Sequence, residues 1–394
     1  MFIFFHVNFV LRLKLLILWI NLIKKILNSL HKQQKIVNFT KKMKKIDYLI
    51  VGQGIAGTVL SYSLLQANKK ILLADPNLPN SSQVAAGMFN PITGNKMNKT
   101  WLADDIFPYL HQFYAQLENL LKVNFLHSKP IYRPFDSIEK QNYWISNSVD
   151  VSHYVNHNFP KNKYNYLLNN HFGGLEILQG GNIDTKILLK NYQDFLRKND
   201  FFVETEVLEN DLIFEKNKVI WKDIEAEKVI FCRGFTEKDS ELFDFLPFQP
   251  AKGEILTVYL PNLKSDSILN KNVWILPIGN DFYKIGSTYE WIDLSFTPTK
   301  IARAHILAEA NKMIEILEQD VVNQEVGVRP ATQDRRPFLG FHKEFPQIGI
   351  FNGLGTKGIS LAPFMAKIFV NCLVLGQKID TLLDIQRPFR KYSP

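Results

Sequence analysis

Apolar residues near the start of the chain follow a pattern that predicts a strand, a helix and a second strand in succession. Residues 48–51 form a short apolar run, as expected of a strand that is buried on both faces. Apolar residues then recur at helical spacing between Val59 and Leu65, which predicts an amphipathic helix. Residues 70–74, a lysine followed by four apolar residues, are predicted to form a second strand. Together these elements predict a βαβ unit.

The turn between the first strand and the helix carries glycines at the spacing G-x-G-x-x-G. Gly52 permits a tight turn, Gly54 lets the backbone approach a pyrophosphate, and Gly57 lets the helix pack close to the strand. Ile55 and Ala56 lie between the last two glycines, where the free N–H groups and positive end of the helix would face phosphates. The motif therefore predicts a dinucleotide at this turn.

An acidic residue closes the second strand. Asp75 follows Gly57 by eighteen positions, where a carboxylate can accept hydrogen bonds from a ribose hydroxyl. An acid at this position, rather than an arginine, argues against a 2′-phosphate and hence against NADP. The order of strand, turn, helix, strand and acid favours dinucleotide binding over the alternative, an ordinary βαβ unit with a glycine turn.

Hydrophobic periodicity predicts a mixture of helices and strands along the rest of the chain, with no repeats and no low-complexity linker. The predicted helices cover residues 101–122, 186–198, 299–317 and 364–375, and Asp184 is the predicted N-cap of the second. The predicted strands cover residues 201–207, 212–214 and 228–231, with an antiparallel sheet at 254–259, 273–277 and 282–287. Residues 125–171 are aromatic, rich in Asn and strand-like. We therefore expect interleaved domains.

The net charge of +9 is concentrated at the start of the chain and does not indicate nucleic-acid binding by the whole protein. Residues 1–42 carry eight basic residues and no acid, and from Met43 onward 39 basic residues face 38 acidic ones. Cys232 and Cys372 lie far apart in apolar runs, which excludes a disulfide framework and fits a reducing compartment. The histidines show no metal-ligand spacing, so we expect no metal site.

The first 42 residues are basic and apolar, and three interpretations of them compete. The chain from Met43 opens directly into the first strand, which favours Met43 as the native start and a cytoplasmic protein. Alternatively, the segment binds a membrane surface, which would give peripheral membrane association. The third interpretation is a transmembrane helix, although Arg12 and Lys14 would lie within the span.

Three further stretches have the composition of a cofactor site. Small residues cluster after Asp75 and would lie against a flat ring or a phosphate; they include Ser82, Ala86 and Gly87, with Met88 following. Gly234 follows a buried strand and predicts a second strand-to-glycine crossing near the cofactor. Near the end of the chain Gly353, Gly355 and Gly358 lie between a strand and a helix, which predicts a second helix N-terminus directed into the same region.

From Met43 to its end the chain resembles the D-amino-acid-oxidase-like FAD oxidoreductases, which include glycine oxidase, sarcosine oxidase and D-amino-acid dehydrogenase. The resemblance rests on five motifs in order: the glycine turn with Asp75, residues 82–88, Pro-Ala-Lys-Gly-Glu at 250–254, Val-Gly-Val-Arg-Pro at 326–330, and Gly-Thr-Lys-Gly at 355–358 with Ala-Pro at 362–363. The ending also resembles the oxidase domain of the bifunctional tRNA wobble-uridine modification enzyme, whose methyltransferase half has no counterpart in this sequence.

The resemblance implies a Rossmann-like FAD-binding domain interleaved with a mixed-sheet substrate domain. The expected FAD-binding domain comprises residues 43–95, 175–245 and 325–394, the expected substrate domain residues 96–174 and 246–324, and residues 1–42 are an extension. FAD would be noncovalent, with Val207 at the adenine side and Ser82, Ala86, Gly87 and Met88 along the flavin and pyrophosphate. Gly355, Lys357 and Gly358 would lie near the pyrimidine edge of the flavin.

The resemblance also places Arg329 where relatives carry the arginine that binds the substrate carboxylate. A guanidinium suits this role because its fork matches a carboxylate with two hydrogen bonds. Many relatives carry an arginine at the position of Lys357, and the lysine keeps the positive charge of that arginine but not its forked shape. Tyr289 is expected to form part of the pocket wall. The alternative for Arg329 is a structural salt bridge with Asp334 or Glu325.

The predicted activity is oxidation of the C–N bond of an amino acid or N-substituted glycine by hydride transfer to flavin N5, with O2 or a quinone as electron acceptor. One alternative is a tRNA-directed oxidase that removes a carboxymethyl group from a modified wobble uridine, which would make nucleic acid a partner. Another is a quinone-linked amino-acid dehydrogenase at the membrane. The non-enzymatic alternative is an FAD-binding structural or regulatory protein.

Overall fold

The computed structural model describes residues 43–94, 96–156, 163–164 and 171–389. The expectations for residues 1–42 and for His157 fall outside the described residues. Within them the chain forms a mixed α/β fold with two large sheets, in agreement with the predicted fold class.

The first sheet has eight strands among the described residues and is built around the predicted βαβ unit. Its main path runs Phe202–Glu204, Ile71–Asp75, Lys44–Val51, Ile224–Phe231, Lys218–Trp221 and Ile213–Glu215. Ile348–Asn352 adds to the carboxyl half of Ile224–Phe231 and pairs in turn with Phe338–Phe341. The pairs at the centre of the sheet are parallel, and the helix Ile55–Gln66 makes the crossover between Lys44–Val51 and Ile71–Asp75.

The first strand is buried on both faces, which explains its continuous apolar run. Tyr48 and Ile50 point into a core with the helices, whereas Leu49 and Val51 point into a second core on the opposite face. Side chains alternate between the two faces of a strand, so every residue from 48 to 51 lies against one core or the other.

Four long helices contribute side chains to the core on one face of the first sheet. They are Ile55–Gln66, Ala103–Leu121, Thr185–Lys198 and Gly358–Leu375. The first packs against the last, and Ala103–Leu121 packs against the last as well. Asp184 caps the third, because its Oδ1 accepts a hydrogen bond from Ile187 N at 3.0 Å, as predicted.

The second sheet is mostly antiparallel and also has eight strands in the described part of the chain. Its order is Val321–Arg329, Ala251–Tyr259, Phe282–Gly286, Trp274–Gly279, Ile268–Asn270, Ile131–Pro134, Gly174–Ile177 and Val155–Asn156. One parallel pair, between Ile268–Asn270 and Ile131–Pro134, makes the sheet mixed. The helix Lys300–Ala310 contributes Ile306, Leu307 and Ala310 to the core on one face of this sheet.

Several predicted elements differ from the observed ones in extent. The helix expected at 299–317 ends at Ala310, and Asn311 Oδ1 then accepts a hydrogen bond from Ile316 N at 2.6 Å. Met313 and Ile316 are buried, so an apolar pattern continued beyond the helix and lengthened the prediction. The strand-like region 125–171 contains the helix Ile138–Asn147, capped by Ser137, besides its strands.

Two of the expected domain boundaries fall inside strands of the second sheet. The boundary at 174/175 divides Gly174–Ile177, and the boundary at 324/325 divides Val321–Arg329, which pairs along most of its length with Ala251–Tyr259. The interleaved division itself stays a prediction, with both boundaries better placed at strand ends.

One described segment, Gly355–Leu375, is long and apolar enough to cross a membrane by length and composition. Half of its most apolar stretch is buried inside the protein, and Ala362, Met365 and Phe369 lie in the core with the helix Ile55–Gln66. Its apolar character is therefore that of a central core helix.

Candidate functional site

A cavity of about 850 Å³ lies where the carboxyl ends of the central parallel strands face the second sheet. Val51, Asp75 and Cys232 line it from the first sheet, and Gly253, Trp274 and Arg329 from the second. Ligands of parallel α/β sheets bind at such strand ends. The cavity is also lined by these predicted site residues: Gly52, Gly54, Ile55, Ala56, Ser82, Ala86, Gly87, Met88, Val207, Gly234, Tyr289, Gly355, Lys357 and Gly358.

The glycine turn has no room for side chains at two of its three glycines. Gly52 has φ +103°, and a Cβ there would lie 2.7 Å from Cys232 O. A Cβ on Gly57 would lie 1.8 Å from Gly52 O, so Gly57 lies under the turn and outside the cavity lining. These contacts are the close helix–strand packing that the motif predicts.

The helix that follows the turn begins with two backbone donors, Ala56 N and Gly57 N, that have no acceptor within the helix. No side chain caps Gly54, and the first turn of Ile55–Gln66 contains no acid. Ile55 N donates to Ser82 Oγ at 3.0 Å. This end of the helix therefore offers N–H groups and a positive dipole to an anion in the cavity.

Asp75 is positioned by two backbone amides. Its Oδ2 accepts from Gln53 N at 2.5 Å and its Oδ1 from Asn77 N at 2.6 Å. Burial raises the pKa of Asp75, while the two N–H groups oppose that rise. Each carboxylate oxygen retains a lone pair for a further donor, such as a ribose hydroxyl.

A loop beside the glycine turn supplies the small residues predicted along the cofactor. Asn80 Oδ1 accepts from Ser82 N and Gln83 N at 3.1 and 3.2 Å, which starts the short helix Ser81–Val84. Gly87 has φ +70°, and a Cβ there would lie 1.9 Å from Ile183 O. The loop can therefore run along the cavity only with glycine at this position.

A charged network that the sequence analysis missed builds the end of the cavity near Val207. Arg233 donates hydrogen bonds to Glu209 and to Glu237, which is fully buried. Burial raises the pKa of Glu237, while the paired Arg233 opposes that rise. The network joins the loop after Glu206 to the turn containing Gly234. It could not be predicted from a local sequence pattern, because Glu209 and Glu237 are 28 positions apart.

Lys357 lies at the start of the last long helix, at the other end of the cavity. Its Nζ donates to Thr100 Oγ1 at 3.2 Å, and Gly355 just before it has φ +55°. Burial is the main cause that lowers the pKa of Lys357, and the positive charges of Arg336 and Arg335 lower it further. The first turn of this helix carries no acid to neutralise it.

Arg329 closes the strand Val321–Arg329 with its guanidinium lining the cavity. Its Nη2 donates to Ser287 Oγ at 2.7 Å, and its Nη1 donates to Thr288 O at 3.1 Å and Lys252 O at 3.4 Å. A Cβ on Gly253 would lie 2.0 Å from Nη2, so only glycine leaves the guanidinium this position. Burial lowers the pKa of Arg329.

The salt-bridge alternative for Arg329 is wrong. Asp334 pairs with Arg387 at 2.8 Å, and Glu325 pairs with Lys186 at 2.7 Å. Among the described residues no carboxylate pairs with Arg329, and three of its five N–H donors are accounted for. The cavity therefore contains a guanidinium whose charge is left for an anionic ligand.

Tyr289 and Trp291 follow the strand Phe282–Gly286 and are exposed residues that do not belong to the core. They are 53% and 56% exposed, and their rings stack with centroids 6.1 Å apart. Tyr289 lines the cavity and its ring lies 4.5 Å from the Arg329 guanidinium.

The described residues contain no group of three or more His, Cys, Asp or Glu side chains that could hold a metal. Both cysteines are free. The thiol of Cys232 is buried under the glycine turn, and burial raises its pKa well above the usual range. A thiol held in its neutral form is a poor nucleophile.

The architecture is that of an oxidoreductase that holds a dinucleotide between two sheets, and the glycine turn, the uncapped helix end and Asp75 fit its ADP part. Residues 47–371 match the family described as FAD dependent oxidoreductase (DAO), and the chain belongs to that family. It is therefore a flavoenzyme whose cofactor is FAD, as predicted.

Relatives with assigned names fall into two groups. The chain is 23% identical over 396 residues to the tRNA 5-methylaminomethyl-2-thiouridine biosynthesis bifunctional protein MnmC of Leptospira interrogans; the match covers 86% of this chain and 60% of that protein. Glycine oxidase of Bacillus subtilis is 26% identical over 135 residues, which cover 34% of this chain and 36% of that enzyme. Both sequence matches thus cover less than two thirds of the relative's own length.

Solved structures share the fold. Glycine oxidase from Bacillus cereus superposes with a TM-score of 0.71 at 20% identity, over 84% of this chain and 96% of that one. Iminodiacetate oxidase from Chelativorans sp. superposes with a TM-score of 0.67 at 18% identity, over 88% of this chain and 98% of that one. At these identities the likeness concerns the fold alone.

Proposed function

We propose that the enzyme oxidises the C–N bond of an N-substituted glycine. The observation that carries the proposal is the Arg329 guanidinium, which lines the same cavity as the glycine turn and has no acidic partner in the described part of the chain. Its fork is directed by Ser287 and Thr288, so it can bind a carboxylate with two charge-assisted hydrogen bonds. The names of the relatives, glycine oxidase among them, support the same substrate class.

When bound, FAD supplies a hydride acceptor. The residues of the chain have the task of orienting the substrate. Arg329 holds the carboxylate, so that the adjacent CH2 group is fixed at one distance and angle, and Tyr289 shields this end from water. Lys357 and the helix N-terminus at Gly358 place positive charge where negative charge develops on reduction.

The reaction balances without a metal or a protein nucleophile. The substrate R–NH–CH2–COO⁻ loses a hydride from CH2 and becomes the iminium R–NH⁺=CH–COO⁻. Water adds to its carbon, and the C–N bond breaks to give the amine and glyoxylate, with a proton released to water. The two electrons leave the cavity to O2 or a quinone, and we propose O2 for a cytoplasmic enzyme.

Anaerobic bleaching of the flavin absorbance tests this function. Protein beginning at Met43 would be mixed with glycine, sarcosine, N-benzylglycine, proline and a set of D-amino acids. We expect N-substituted glycines to bleach the flavin, with glyoxylate formed in equal amount. Bleaching only by D-amino acids with larger side chains would contradict the proposal.

A second candidate function is oxidation of an N-substituted glycine carried by tRNA. The similarity to MnmC extends over 86% of this chain, far more than the similarity to glycine oxidase. A carboxymethylaminomethyl group on a uridine is itself an N-substituted glycine, so Arg329 would act identically on it. Removal of the carboxymethyl group would release glyoxylate and leave an aminomethyl group on the base.

A further inference from the structure

The positively charged side chains of Lys357, Arg335 and Arg336 lie together, and Lys357 lines the cavity. Arg335 and Arg336 are close enough for their charges to lower the pKa of Lys357 further. The Arg336 guanidinium lies 4.5 Å from the ring of Trp101, which follows Thr100, the hydrogen-bond partner of Lys357. We call Trp101, Arg335 and Arg336 the basic rim.

No carboxylate in the described part of the chain forms an ion pair with the basic rim or with Lys357. Asp334, the adjacent acid, is bound by Arg387 at 2.8 Å, and Asp104 is bound by Lys99 at 2.6 Å. The rim therefore keeps its positive charge although residues 43–394 as a whole are nearly neutral. Positive side chains that lie close together without an acidic partner repel each other, and an anion that binds between them stabilises them.

Exposed aromatic side chains lie next to one another beside Arg329. Tyr289 and Trp291 stack with an interplanar angle of 24°, and Ile292 beside them is 93% exposed. Large apolar side chains in an exposed group indicate a binding surface. We call Tyr289 and Trp291 the aromatic pair.

The aromatic pair is carried on an anchored loop. The backbone of Glu290 exchanges two hydrogen bonds with Lys252, at 2.8 and 3.0 Å. The Lys252 side chain is buried, and its Nζ donates to Asp293 Oδ2 at 2.6 Å and Thr297 O at 2.8 Å. The backbone that carries the two rings is therefore anchored to the strand Ala251–Tyr259.

We propose that the basic rim and the aromatic pair form an RNA-binding surface around the mouth of the cavity. Arg335 and Arg336 bind backbone phosphates, because guanidinium groups match phosphate oxygens. The aromatic pair stacks on a base at the end of a single-stranded loop, which is how proteins recognise unpaired RNA. A free amino acid would use Arg329 alone, whereas an N-substituted glycine attached to a tRNA base would use all three features.

This inference rests on the proposed function, because it names what carries the N-substituted glycine. It also explains how a nearly neutral protein could bind nucleic acid, since the charge is local to one rim. The two proposals can fail separately, because RNA binding is measurable without turnover.

Binding of fluorescently labelled tRNA, followed by anisotropy at several salt concentrations, tests the surface. The probes are a tRNA bearing 5-carboxymethylaminomethyl-uridine at the wobble position and the same tRNA without the modification. In Arg335→Gln/Arg336→Gln we expect at least tenfold weaker binding and a salt slope smaller by about 2, one per lost phosphate contact. The matched control, Lys216→Gln/Lys343→Gln, loses two exposed charges that do not line the cavity and should bind like the parent enzyme.

Stacking is tested by Trp291→Ala, with Tyr143→Ala as an exposed aromatic control on the helix Ile138–Asn147. We expect Trp291→Ala to weaken binding of the modified tRNA about tenfold and to change sarcosine oxidation less than twofold. Retained flavin absorbance shows that each variant is folded. Equal effects of Trp291→Ala on tRNA and on sarcosine would overturn the assignment of this residue.

Two outcomes separate the inference from the function on which it rests. If small N-substituted glycines are oxidised but tRNA does not bind, the RNA-binding surface is wrong and the proposed function stands. If tRNA binds through Arg335 and Arg336 but no N-substituted glycine bleaches the flavin, the surface stands and the proposed function is wrong.

Discussion

Arg329 keeps an unpaired positive charge in the cavity because its neighbours accept hydrogen bonds without neutralising it. Ser287 Oγ and the carbonyls of Thr288 and Lys252 hold the guanidinium, and none of them is an acid. Gly253 leaves the space that the guanidinium fills. The sequence identified the arginine through its motif, but these partners lie 41 to 77 positions away and are defined only by strand pairing.

Arg329→Ala should raise KM for an N-substituted glycine at least about 100-fold while flavin stays bound. Each charge-assisted hydrogen bond contributes roughly 1.5–3 kcal/mol, and two are lost. The KM of Arg329→Lys should lie between those of the parent enzyme and Arg329→Ala, because lysine keeps the positive charge but lacks the forked guanidinium. Flavin reduction rates over a range of substrate concentrations measure both variants. Unchanged KM in Arg329→Ala would show that another group binds the carboxylate.

Gly57 illustrates a steric requirement that the motif predicted correctly. In Gly57→Ala the new Cβ would lie 1.8 Å from Gly52 O, so either the helix or the turn must move. We expect a loss of about 1–3 kcal/mol in the free energy of unfolding and of most bound flavin. Ser63→Ala is the control on the same helix, since it adds no atom, does not line the cavity and loses only the hydrogen bond to Val59 O. Flavin content and urea unfolding measure the effect, and flavin retained in both variants would contradict it.

At the scale of elements, the loop between Gly286 and the helix Lys300–Ala310 is held by side chains of the strand Ala251–Tyr259. Lys252, on the strand Ala251–Tyr259, reaches Asp293 and Thr297, and Glu254 from the same strand accepts from Thr299 N and Oγ1. Lys252 belongs to one of the sequence motifs, but its anchoring role could not be predicted, because its acidic partner comes 41 positions later.

Lys252→Met should loosen the loop that carries Tyr289 and Trp291. The change removes the three hydrogen bonds that the ammonium donates and leaves an apolar side chain of similar length. We expect chymotrypsin to cleave within residues 287–299 several-fold faster than in the parent enzyme. Lys284→Met, a half-buried lysine on the neighbouring strand, is the matched control. Equal cleavage rates in both variants would show that Lys252 does not anchor the loop.

The ion pair between Lys252 and Asp293 predicts that the stability of the protein depends on pH. Lys252 is the main cause that lowers the pKa of Asp293 to about 2. A lowered pKa in the folded state means that the pair stabilises the protein above the ordinary Asp pKa of about 4 and ceases to do so as the pH falls towards 2. Urea unfolding midpoints of the parent and Asp293→Asn should therefore differ at pH 6 and converge near pH 2.5. A constant difference across this range would exclude the ion pair as its source.

At the scale of the whole molecule, the cavity lies between two sheets that each contribute part of its wall. Val51, Asp75 and Cys232 come from the first sheet, and Gly253, Trp274 and Arg329 from the second. A ligand that fills a cavity of about 850 Å³ therefore stabilises both sheets together. Binding to the folded state alone raises stability by mass action.

FAD should raise the thermal midpoint of the flavin-free protein, whereas FMN should not. At 100 times its dissociation constant a ligand adds about 2.7 kcal/mol. FMN lacks the ADP part that the glycine turn and Asp75 are built to hold. Thermal unfolding of flavin-stripped protein with each compound measures the difference. ADP serves as the control for the turn alone, and equal stabilisation by FMN and FAD would show that the turn does not bind ADP.

The sequence by itself determined the βαβ unit, the FAD cofactor and the family, because these depend on residues within 30 positions of each other or on motifs in a fixed order. Helical spacing also predicted the core helices, although the helix ending at Ala310 was predicted too long. Tertiary structure alone decided the partners of Arg329, Glu237 and Lys252. It also brought Trp101 to Arg336 across more than 200 positions and left the aromatic pair exposed. Burial and long-range pairing depend on how the strands are ordered in the sheets, and hydrophobic periodicity carries no record of that order.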